Sequence, residues 1–243
     1  MKNLIDIHSH IVPGVDDGSK SPEESLKILK ASYEGGVRKM ILTPHFRLGM
    51  FETDGETILN RFRHLKDEAE KQFPELSLYL GCEFHASMDM EELLKTHPRF
   101  FMAGSRYLLL EFSSGDTESF IKDRVYAAES LGAKVILAHV ERYQATRKPE
   151  FLEELKRRGA MIQVNADAVL GKDGFLIKRY ANKLIKDGLI DIIASDAHDL
   201  SSRATHLCEC AKYVERKYGT DTATELFYTN PNKILDNQGQ NSI

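Results

Sequence analysis

The chain has 243 residues and a net charge of −4, with 42% hydrophobic and 29% charged residues. This length and composition are typical of a globular protein that buries a substantial core. The acidic balance argues against a general nucleic-acid binder, which usually carries a basic face. No apolar run approaches the roughly 18 residues that a membrane-spanning helix needs. The N-terminus also lacks a secretory signal pattern, so we expect a cytoplasmic protein without membrane insertion.

The three cysteines, Cys82, Cys208 and Cys210, are too few for a disulfide framework. Cys210 and Arg216 match the C-x5-R spacing of cysteine-dependent phosphatases. That chemistry needs a tight loop whose backbone N–H groups bind phosphate. Residues 211–215 contain no glycine and continue a helical pattern. We therefore attribute this spacing to chance.

Short apolar runs alternate with amphipathic segments along the whole chain. The predicted strands cover residues 4–10, 39–45, 76–83, 107–112, 134–139, 161–165 and 191–198. The predicted helices cover residues 21–35, 54–72, 89–95, 118–131, 150–158, 175–186, 201–218 and 223–228, and residues 46–51 are predicted to form a loop. Near-continuous apolar strands are typical of a parallel sheet covered on both faces. The pattern predicts one α/β domain over residues 1–243, with a polar tail from about residue 237, and favours a closed or nearly closed barrel.

Metal-ligand side chains fall at the carboxyl ends of six of the seven predicted strands, and Asp17 follows the first strand in a loop. The candidates are His8, His10, Asp17, His45, Glu83, Glu111, His139, Asp196 and His198. Five of the nine histidines belong to this set. In parallel barrels the functional residues gather at this edge of the strands. Such a concentration of ionisable groups is rarely structural, so we predict a functional site.

Nine ligands are too many for one ion and support two to three divalent ions, each with an open position. Mixed imidazole and carboxylate ligands suit manganese, iron or zinc. Cys82 directly precedes Glu83 in a predicted strand and should point to the opposite face. Arg142 and Arg203 lie just beyond strand ends, and guanidinium groups beside a metal site suggest recognition of a phosphate.

The sequence resembles the polymerase-and-histidinol-phosphatase (PHP) superfamily over nearly its whole length. The motifs that carry the resemblance are His8-Ser9-His10 with the Asp17 loop, Thr43-Pro44-His45, Gly81-Cys82-Glu83, Leu110-Glu111-Phe112, His139-Val140-Glu141-Arg142 and Ser195-Asp196-Ala197-His198. It is most similar to the bacterial protein-tyrosine phosphatase branch, which accompanies the tyrosine kinases of capsular and extracellular polysaccharide synthesis. Residues 164–168 differ from the segment that we associate with this region in relatives, so no role is carried onto them.

This resemblance implies a distorted (β/α)7 barrel, TIM-like, with a manganese-dependent trinuclear site at the carboxyl ends of the strands. The first metal would be held by His8, His10, Glu83 and Asp196. The second would be held by Glu83 as a bridging ligand with Glu111 and His139, and the third by Asp17, His45 and His198. The implied activity is hydrolysis of phosphotyrosine by a hydroxide that bridges the ions, with Arg142 and Arg203 as catalytic residues that offset phosphoryl charge.

Two other functions are compatible with the same residues. The first is a small-molecule phosphatase, for example one for histidinol phosphate. Its specificity would lie in the loops that contain Phe46, Phe51 and Phe84, which could flank an aromatic ring, although core packing is the default for any one of them. The second is a non-catalytic regulatory partner of the kinase. A homo-oligomer is compatible with the sequence, which does not specify the oligomeric state.

Overall fold

The computed structural model describes residues 3–237 as a parallel α/β fold. The described strands are β1 (Leu4–Asp6), β2 (Val37–Leu42), β3 (His45–Phe46), β4 (Ser77–Leu80), β5 (Glu83–His85), β6 (Tyr107–Glu111), β7 (Lys134–Leu137), β8 (Met161–Asn165) and β9 (Ile192–Ala194). The predicted polar tail lies almost wholly outside the described residues.

Most helices lie between consecutive strands, and the last three follow β9. The helices are α1 (Pro22–Glu34), α2 (Gly55–Gln72), α3 (Met90–Thr96), α4 (Glu118–Ser130), α5 (Pro149–Arg157), α6 (Ala166–Leu170), α7 (Phe175–Lys186), α8 (Leu207–Tyr218), α9 (Thr220–Thr224) and α10 (Asn230–Leu235). A π-helical turn, Glu225–Thr229, joins the last two. The side chains of Ser21, Asp54 and Thr117 cap α1, α2 and α4 by accepting backbone N–H bonds.

All strand pairs are parallel, and the sheet curls until its first and last strands meet. One part has the order β1-β2-β4 and the other β3-β5-β6-β7-β8-β9. Just beyond β1 and β9, Ser9 forms a parallel bridge with Ala197. There the His10 N–H donates to the Ala197 carbonyl at 2.8 Å and the Asp196 N–H to the His8 carbonyl at 2.9 Å. The predicted TIM-like architecture is therefore confirmed, and the curl converges on the carboxyl ends of the strands.

Six of the seven predicted strands are shorter or interrupted, including the last, which covers Ile192–Ala194 and not 191–198. The first ends at Asp6, so His8 and His10 lie beyond it. The second breaks into β2 and β3 around Pro44, which has no N–H to donate to the ladder. The third breaks into β4 and β5 at Gly81 and Cys82. The sheet therefore has seven strand positions, as predicted, built from nine short strands in the described residues.

The largest helix error concerns α8, which begins at Leu207 and not at residue 201. The Asp199 carboxylate accepts bonds from the N–H groups of Ser201 and Arg203 and from the Ser202 hydroxyl. These bonds form a local turn that competes with helix initiation. Arg203 consequently lies in a loop and not near a helix start. The short helix α6 was not predicted, and the helical segment predicted at 223–228 extends from α9 through α10.

Alternate strand positions supply two layers of core. Leu108 and Leu110 of β6 belong to the outer cluster between sheet and helices, whereas Leu109 belongs to an inner cluster with Ile136 and Ile192. Glu111 follows Leu109 by two residues. The inward strand faces thus change from apolar to ionisable as they approach the carboxyl edge.

No helix within residues 3–237 is both long and apolar enough to cross a lipid bilayer.

Gly18 provides a test of how tightly the loop after β1 folds back. A Cβ at this position would lie 2.0 Å from the His10 carbonyl oxygen and 2.5 Å from its Cβ. Gly18→Ala should therefore displace the loop and destabilise the protein by roughly 1–3 kcal/mol, which thermal unfolding would detect as a lower Tm. Gly115→Ala is the control, since nothing lies within 4 Å of a Cβ there. Equal Tm values for the two variants would contradict this packing.

Candidate metal centre

All nine predicted ligands lie together at the carboxyl edge of the sheet. His8 and His10 follow β1, His45 opens β3, Glu83 opens β5 and Glu111 closes β6. The remaining four come from the loop after β1, from the residues after β7 and from those after β9: Asp17, His139, Asp196 and His198. Each of the nine lies within 3.6 Å of at least one other member, measured between a ring nitrogen and a carboxylate oxygen.

The carboxylate of Glu83 lies at the centre of this cluster and is fully buried. Its Oε2 is 3.2 Å from His8 Nε2, 3.1 Å from His10 Nε2 and 2.9 Å from His45 Nδ1. Its Oε1 is 2.7 Å from His139 Nε2. Although burial opposes ionisation, the surrounding imidazoles hold the pKa of Glu83 well below its usual value.

Besides His139, whose Nδ1 lies 3.3 Å from the Tyr143 hydroxyl, three imidazoles use Nδ1 to bond a carboxylate, amide or backbone oxygen, which leaves Nε2 directed into the cluster. The bonds are His8 Nδ1 to Gln163 Oε1 at 3.3 Å, His10 Nδ1 to Asp16 Oδ2 at 2.8 Å and His198 Nδ1 to the Asp196 carbonyl at 2.8 Å. Such bonds fix the proton on Nδ1 and orient the ring of metal-binding histidines. The Nε2 atoms then face carboxylate oxygens, an arrangement that is favourable only when a proton or a metal cation lies between the two atoms.

Two buried atoms of the cluster also lack a hydrogen-bond partner, Glu83 Oε2 and His198 Nε2. Buried polar atoms are normally satisfied, so each such exception requires an explanation. Oxygen and imidazole donors that converge without hydrogen bonds are suited to divalent ions. The residues present therefore fit a metal centre.

The ligand atoms fall into three groups, in each of which all atoms lie within 4.8 Å of one another. They are His8, His10, Glu83 and Asp196; His10, Asp17, His45 and His198; and His45, Glu83 and Glu111. The first equals the set implied by the resemblance, and the second adds His10 to the implied third set. The last contains His45 where the resemblance implies His139. His139 Nε2 nevertheless lies 3.6 Å from Glu111 Oε1.

The surroundings of three ligands determine their protonation states, and two of them are in the deprotonated form that binds a cation. Burial and the nearby Arg142 guanidinium lower the pKa of His139 to about 4. Burial and the His10 ring lower the pKa of His198 to about 4. Both imidazoles are therefore neutral at pH 7. By contrast, burial and the Glu83 carboxylate raise the pKa of Glu111 to about 8, so this carboxyl is mostly protonated at pH 7.

Both predicted arginines reach the cluster. Arg142 donates to Asp196 Oδ2 at 2.8 Å. Arg203 donates to Asp196 at 3.2 Å and to Asp17 at 3.3 Å. Their guanidinium groups border the ligands from two different loops. They can therefore offer hydrogen bonds to an anion that approaches the carboxyl edge.

Polar neighbours of the ligands that the sequence did not single out include Asp16, Gln163 and Asn165. Asp16 Oδ2 bonds both His10 Nδ1 and the His45 N–H. Gln163 and Asn165 lie two residues apart on β8 and are buried. Two polar side chains on one face of an otherwise apolar strand were the available signal.

The aromatic residues near the site divide into two kinds. Phe46 and Phe84 are buried and pack with Phe100, with ring centroids 4.5–5.2 Å apart, so they belong to the core. Phe51 instead stacks on the His45 ring at 4.9 Å, with an interplanar angle of 10°. Phe51 alone of the three remains a candidate contact for an aromatic substrate.

The C-x5-R spacing has no catalytic geometry. Cys210 lies within α8 and is fully buried, and burial raises the pKa of its thiol well above the usual value. Arg216 lies further along the same helix. No phosphate-binding loop separates them, which agrees with the interpretation that the spacing is accidental.

Comparison with known families identifies the chain. Residues 4–236 match the family described as "Capsular polysaccharide synthesis, CpsB/CapC". The chain belongs to the CpsB/CapC family. This assignment confirms the resemblance to the bacterial phosphatase branch.

Among CpsB/CapC relatives, the tyrosine-protein phosphatase CpsB of Streptococcus agalactiae is 36% identical over 240 residues, covering 96% of this chain and 99% of the relative. CpsB of Streptococcus pneumoniae is also 36% identical, covering 97% and 99%. A crystal structure from work on YwqE of Bacillus subtilis and CpsB of Streptococcus pneumoniae, described as unique metal-dependent tyrosine phosphatases, superposes with a TM-score of 0.88. It is 27% identical and covers 97% of this chain and 95% of its own.

More distant structures share only the fold. The phosphotriesterase from Mycobacterium tuberculosis superposes with a TM-score of 0.60 at 12% identity, covering 98% of this chain and 95% of its own.

Glu111 leads to a pH-dependent prediction for metal binding. A pKa of about 8 leaves its carboxyl mostly protonated at pH 7, and a cation can bind the carboxylate only after that proton leaves. Affinity for Mn²⁺ should therefore rise between pH 6 and pH 8, and binding at pH 7 should release protons. Calorimetry in buffers of different ionisation enthalpy measures this release. Glu111→Gln should reduce it, and an unchanged release would contradict the role of Glu111.

Proposed function

We propose that this protein is a metal-dependent protein-tyrosine phosphatase. The observation that carries the proposal is the group of nine converging ligands bordered by Arg142 and Arg203, in a member of the CpsB/CapC family. Relatives that span nearly the same length are named tyrosine-protein phosphatases. Mixed imidazole and carboxylate donors suit manganese, iron or zinc, and we propose manganese as the native ion.

The chain's own residues account for substrate binding. Divalent ions bound by the cluster would supply Lewis acidity and a water molecule that ionises near neutral pH. Arg142 and Arg203 would exchange part of their bonding to Asp196 for bonds to phosphoryl oxygens, where negative charge accumulates. A phenol has a pKa of about 10, so the leaving tyrosine needs less proton assistance than an alkoxide. The Phe51 ring, stacked on His45, would contact the tyrosine ring.

Exposed apolar side chains around the metal centre favour a polypeptide substrate over a small phosphate. Six of the seven exposed large apolar residues in the described chain lie in loops or helix starts at the carboxyl edge. These six, which we call the apolar rim, are Leu48, Met50, Met88, Phe175, Leu176 and Leu200. The seventh, Tyr228, lines a cavity with Asn3 and Ser77 near the amino ends of the strands. A small polar phosphate has no apolar groups to pack against the apolar rim, whereas apolar residues that flank a phosphotyrosine could contact this rim.

The proposal also covers the domain organisation, the location and the protein substrate. Residues 1–243 would act as one domain, since β1 and β9 meet and the candidate ligands span the chain from His8 to His198. We propose that this domain acts in the cytoplasm. The phosphotyrosine would lie on a bacterial tyrosine kinase that regulates polysaccharide synthesis, which the family description supports.

The proposal is tested by comparing turnover of a tyrosine-phosphorylated kinase-tail peptide with that of histidinol phosphate, each with Mn²⁺ and with chelator. We expect Mn²⁺-dependent hydrolysis of the peptide at the higher kcat/KM. A preference for histidinol phosphate would favour the small-molecule phosphatase. Failure to hydrolyse either would favour the non-catalytic partner.

Arg142→Ala tests the role of the guanidinium. Loss of a charged hydrogen-bond donor to the transition state should lower kcat for an aryl phosphate by about 10²-fold or more. Circular dichroism should show that the fold is retained. Cys210→Ser is the control, because the buried thiol has no part in the reaction, and it should retain activity. Full activity of Arg142→Ala, or inactivity of Cys210→Ser, would contradict this mechanism.

The apolar rim is tested by the double variant Leu48→Ser/Met50→Ser. These side chains are 41% and 61% exposed in the turn between Arg47 and Phe51, so their loss leaves the core intact. The kcat/KM for a phosphopeptide with apolar flanks should fall several-fold relative to that for p-nitrophenyl phosphate. Tyr228→Ser, equally exposed at the opposite edge, should leave this ratio unchanged. If the double variant leaves the ratio of the two kcat/KM values unchanged, the apolar rim does not bind the substrate.

A further inference from the structure

Strand β8 reaches the metal centre without contributing a ligand. It presents two buried amide side chains there instead, Gln163 and Asn165, which are 0% and 2% exposed. Both lie on the strand face that begins with Met161, which packs against the inner apolar cluster. An amide buried in such a position must satisfy both its donor and its acceptor groups.

The two amides form a hydrogen-bond chain whose direction is fixed. The backbone N–H of His139 can only donate, and it contacts Gln163 Oε1 at 2.7 Å. Gln163 Nε2 must then donate to Asn165 Oδ1, at 2.8 Å. Asn165 Nδ2 in turn donates to Asp196 Oδ2, also at 2.8 Å.

The same direction determines the tautomer of His8. Because Gln163 Oε1 is an acceptor, His8 Nδ1, at 3.3 Å, must carry its proton. In the neutral ring, His8 Nε2 then keeps its lone pair, and it faces Glu83 Oε2 and Asp196 Oδ1 at 3.2 and 3.5 Å. One amide oxygen of β8 thus bonds both His8 and His139.

Two ligands at the ends of this chain have unfavourable backbone conformations. His139 has φ of 29° and Asp196 has φ of 53°, values that are uncommon for residues other than glycine. Such strain persists only where surrounding contacts determine the conformation. Gln163 holds the backbone of His139, and Asn165 holds the side chain of Asp196.

We propose that Gln163 and Asn165 are positioning residues of the metal centre, which hold His8, His139 and Asp196 in their metal-binding arrangement without binding a metal themselves. The proposal rests on the metal centre of the proposed phosphatase. Glu141 Oε1 continues the support by accepting the backbone N–H of Asn165 at 3.1 Å.

The test measures Mn²⁺ affinity directly, by calorimetry or chelator competition on the metal-free full chain. Gln163→Met and Asn165→Leu remove the hydrogen bonds and add no charge. Met is close to Gln in length, and Leu keeps the branched shape of Asn but is bulkier, an increase in volume that the control below also carries. Each should weaken Mn²⁺ binding by about 10- to 100-fold, the usual effect of losing a residue that orients metal ligands. Activity of both variants should be partly restored at higher Mn²⁺ concentration.

Asn182→Leu is the matched control. Asn182 is also a buried amide, but it bonds the carbonyls of Val169 and Lys178 and accepts from Tyr213, away from the centre. It should lose folding stability in urea unfolding while keeping its Mn²⁺ affinity.

Wild-type affinity in folded Gln163→Met and Asn165→Leu would overturn the proposal. An affinity loss as large in Asn182→Leu would also overturn it, because general destabilisation would then explain the effect. The two variants remove different bonds, so either one that folds is decisive. The measured quantity is metal affinity and not activity. If the protein binds Mn²⁺ but does not hydrolyse phosphotyrosine, the proposed function is wrong, while the effect of the two amides on Mn²⁺ affinity can still be measured.

Discussion

The Glu83 carboxylate is fully buried among imidazole rings, and much of the structure serves to make that burial tolerable. A buried charge is costly unless it is paired or bound to a metal. The curl of the sheet brings β1 next to β9, so that the histidines after β1 and the aspartate after β9 reach the same point as Glu83. Hydrogen bonds from Nδ1 atoms to Asp16 and Gln163 then turn the Nε2 atoms of His10 and His8 towards it.

Support for the centre comes from three directions. The loop after β1 supplies Asp16 and Asp17, the loop before α8 supplies Arg203, and β8 supplies its amide pair. Asp196 links the β8 amide pair and Arg203 to Arg142, because it accepts bonds from Asn165, Arg203 and Arg142 while it lies close to His8. A residue with so many partners explains how a non-glycine backbone is held at a φ of 53°.

The nine candidate ligands lie together because eight of them end predicted apolar strands, and parallel strands place their carboxyl ends on one edge; Asp17 follows the first of these strands in a loop. The sequence predicted less well where local bonds compete with a pattern. The Asp199 turn delays α8, and Pro44 divides a strand that looked continuous. The amides of β8 were passed over because their role depends on His139 and Asp196, which lie 24 and 31 residues away along the chain. Phe46 and Phe84 could not be separated from Phe51 without knowledge of burial.

The meeting of the first and last strands also bears on how the protein is made. Residues near both ends of the fold complete the centre: His8 and His10 are synthesised early, whereas Asp196 and His198 are synthesised only after about four-fifths of the 243 residues. A nascent chain therefore carries the early histidines without the carboxylate that completes their set. Metal uptake in the full native arrangement must follow synthesis of β9 and the residues after it. A fragment that ends before β9 would lack the closing strand and would leave incomplete the two ligand groups that use Asp196 or His198.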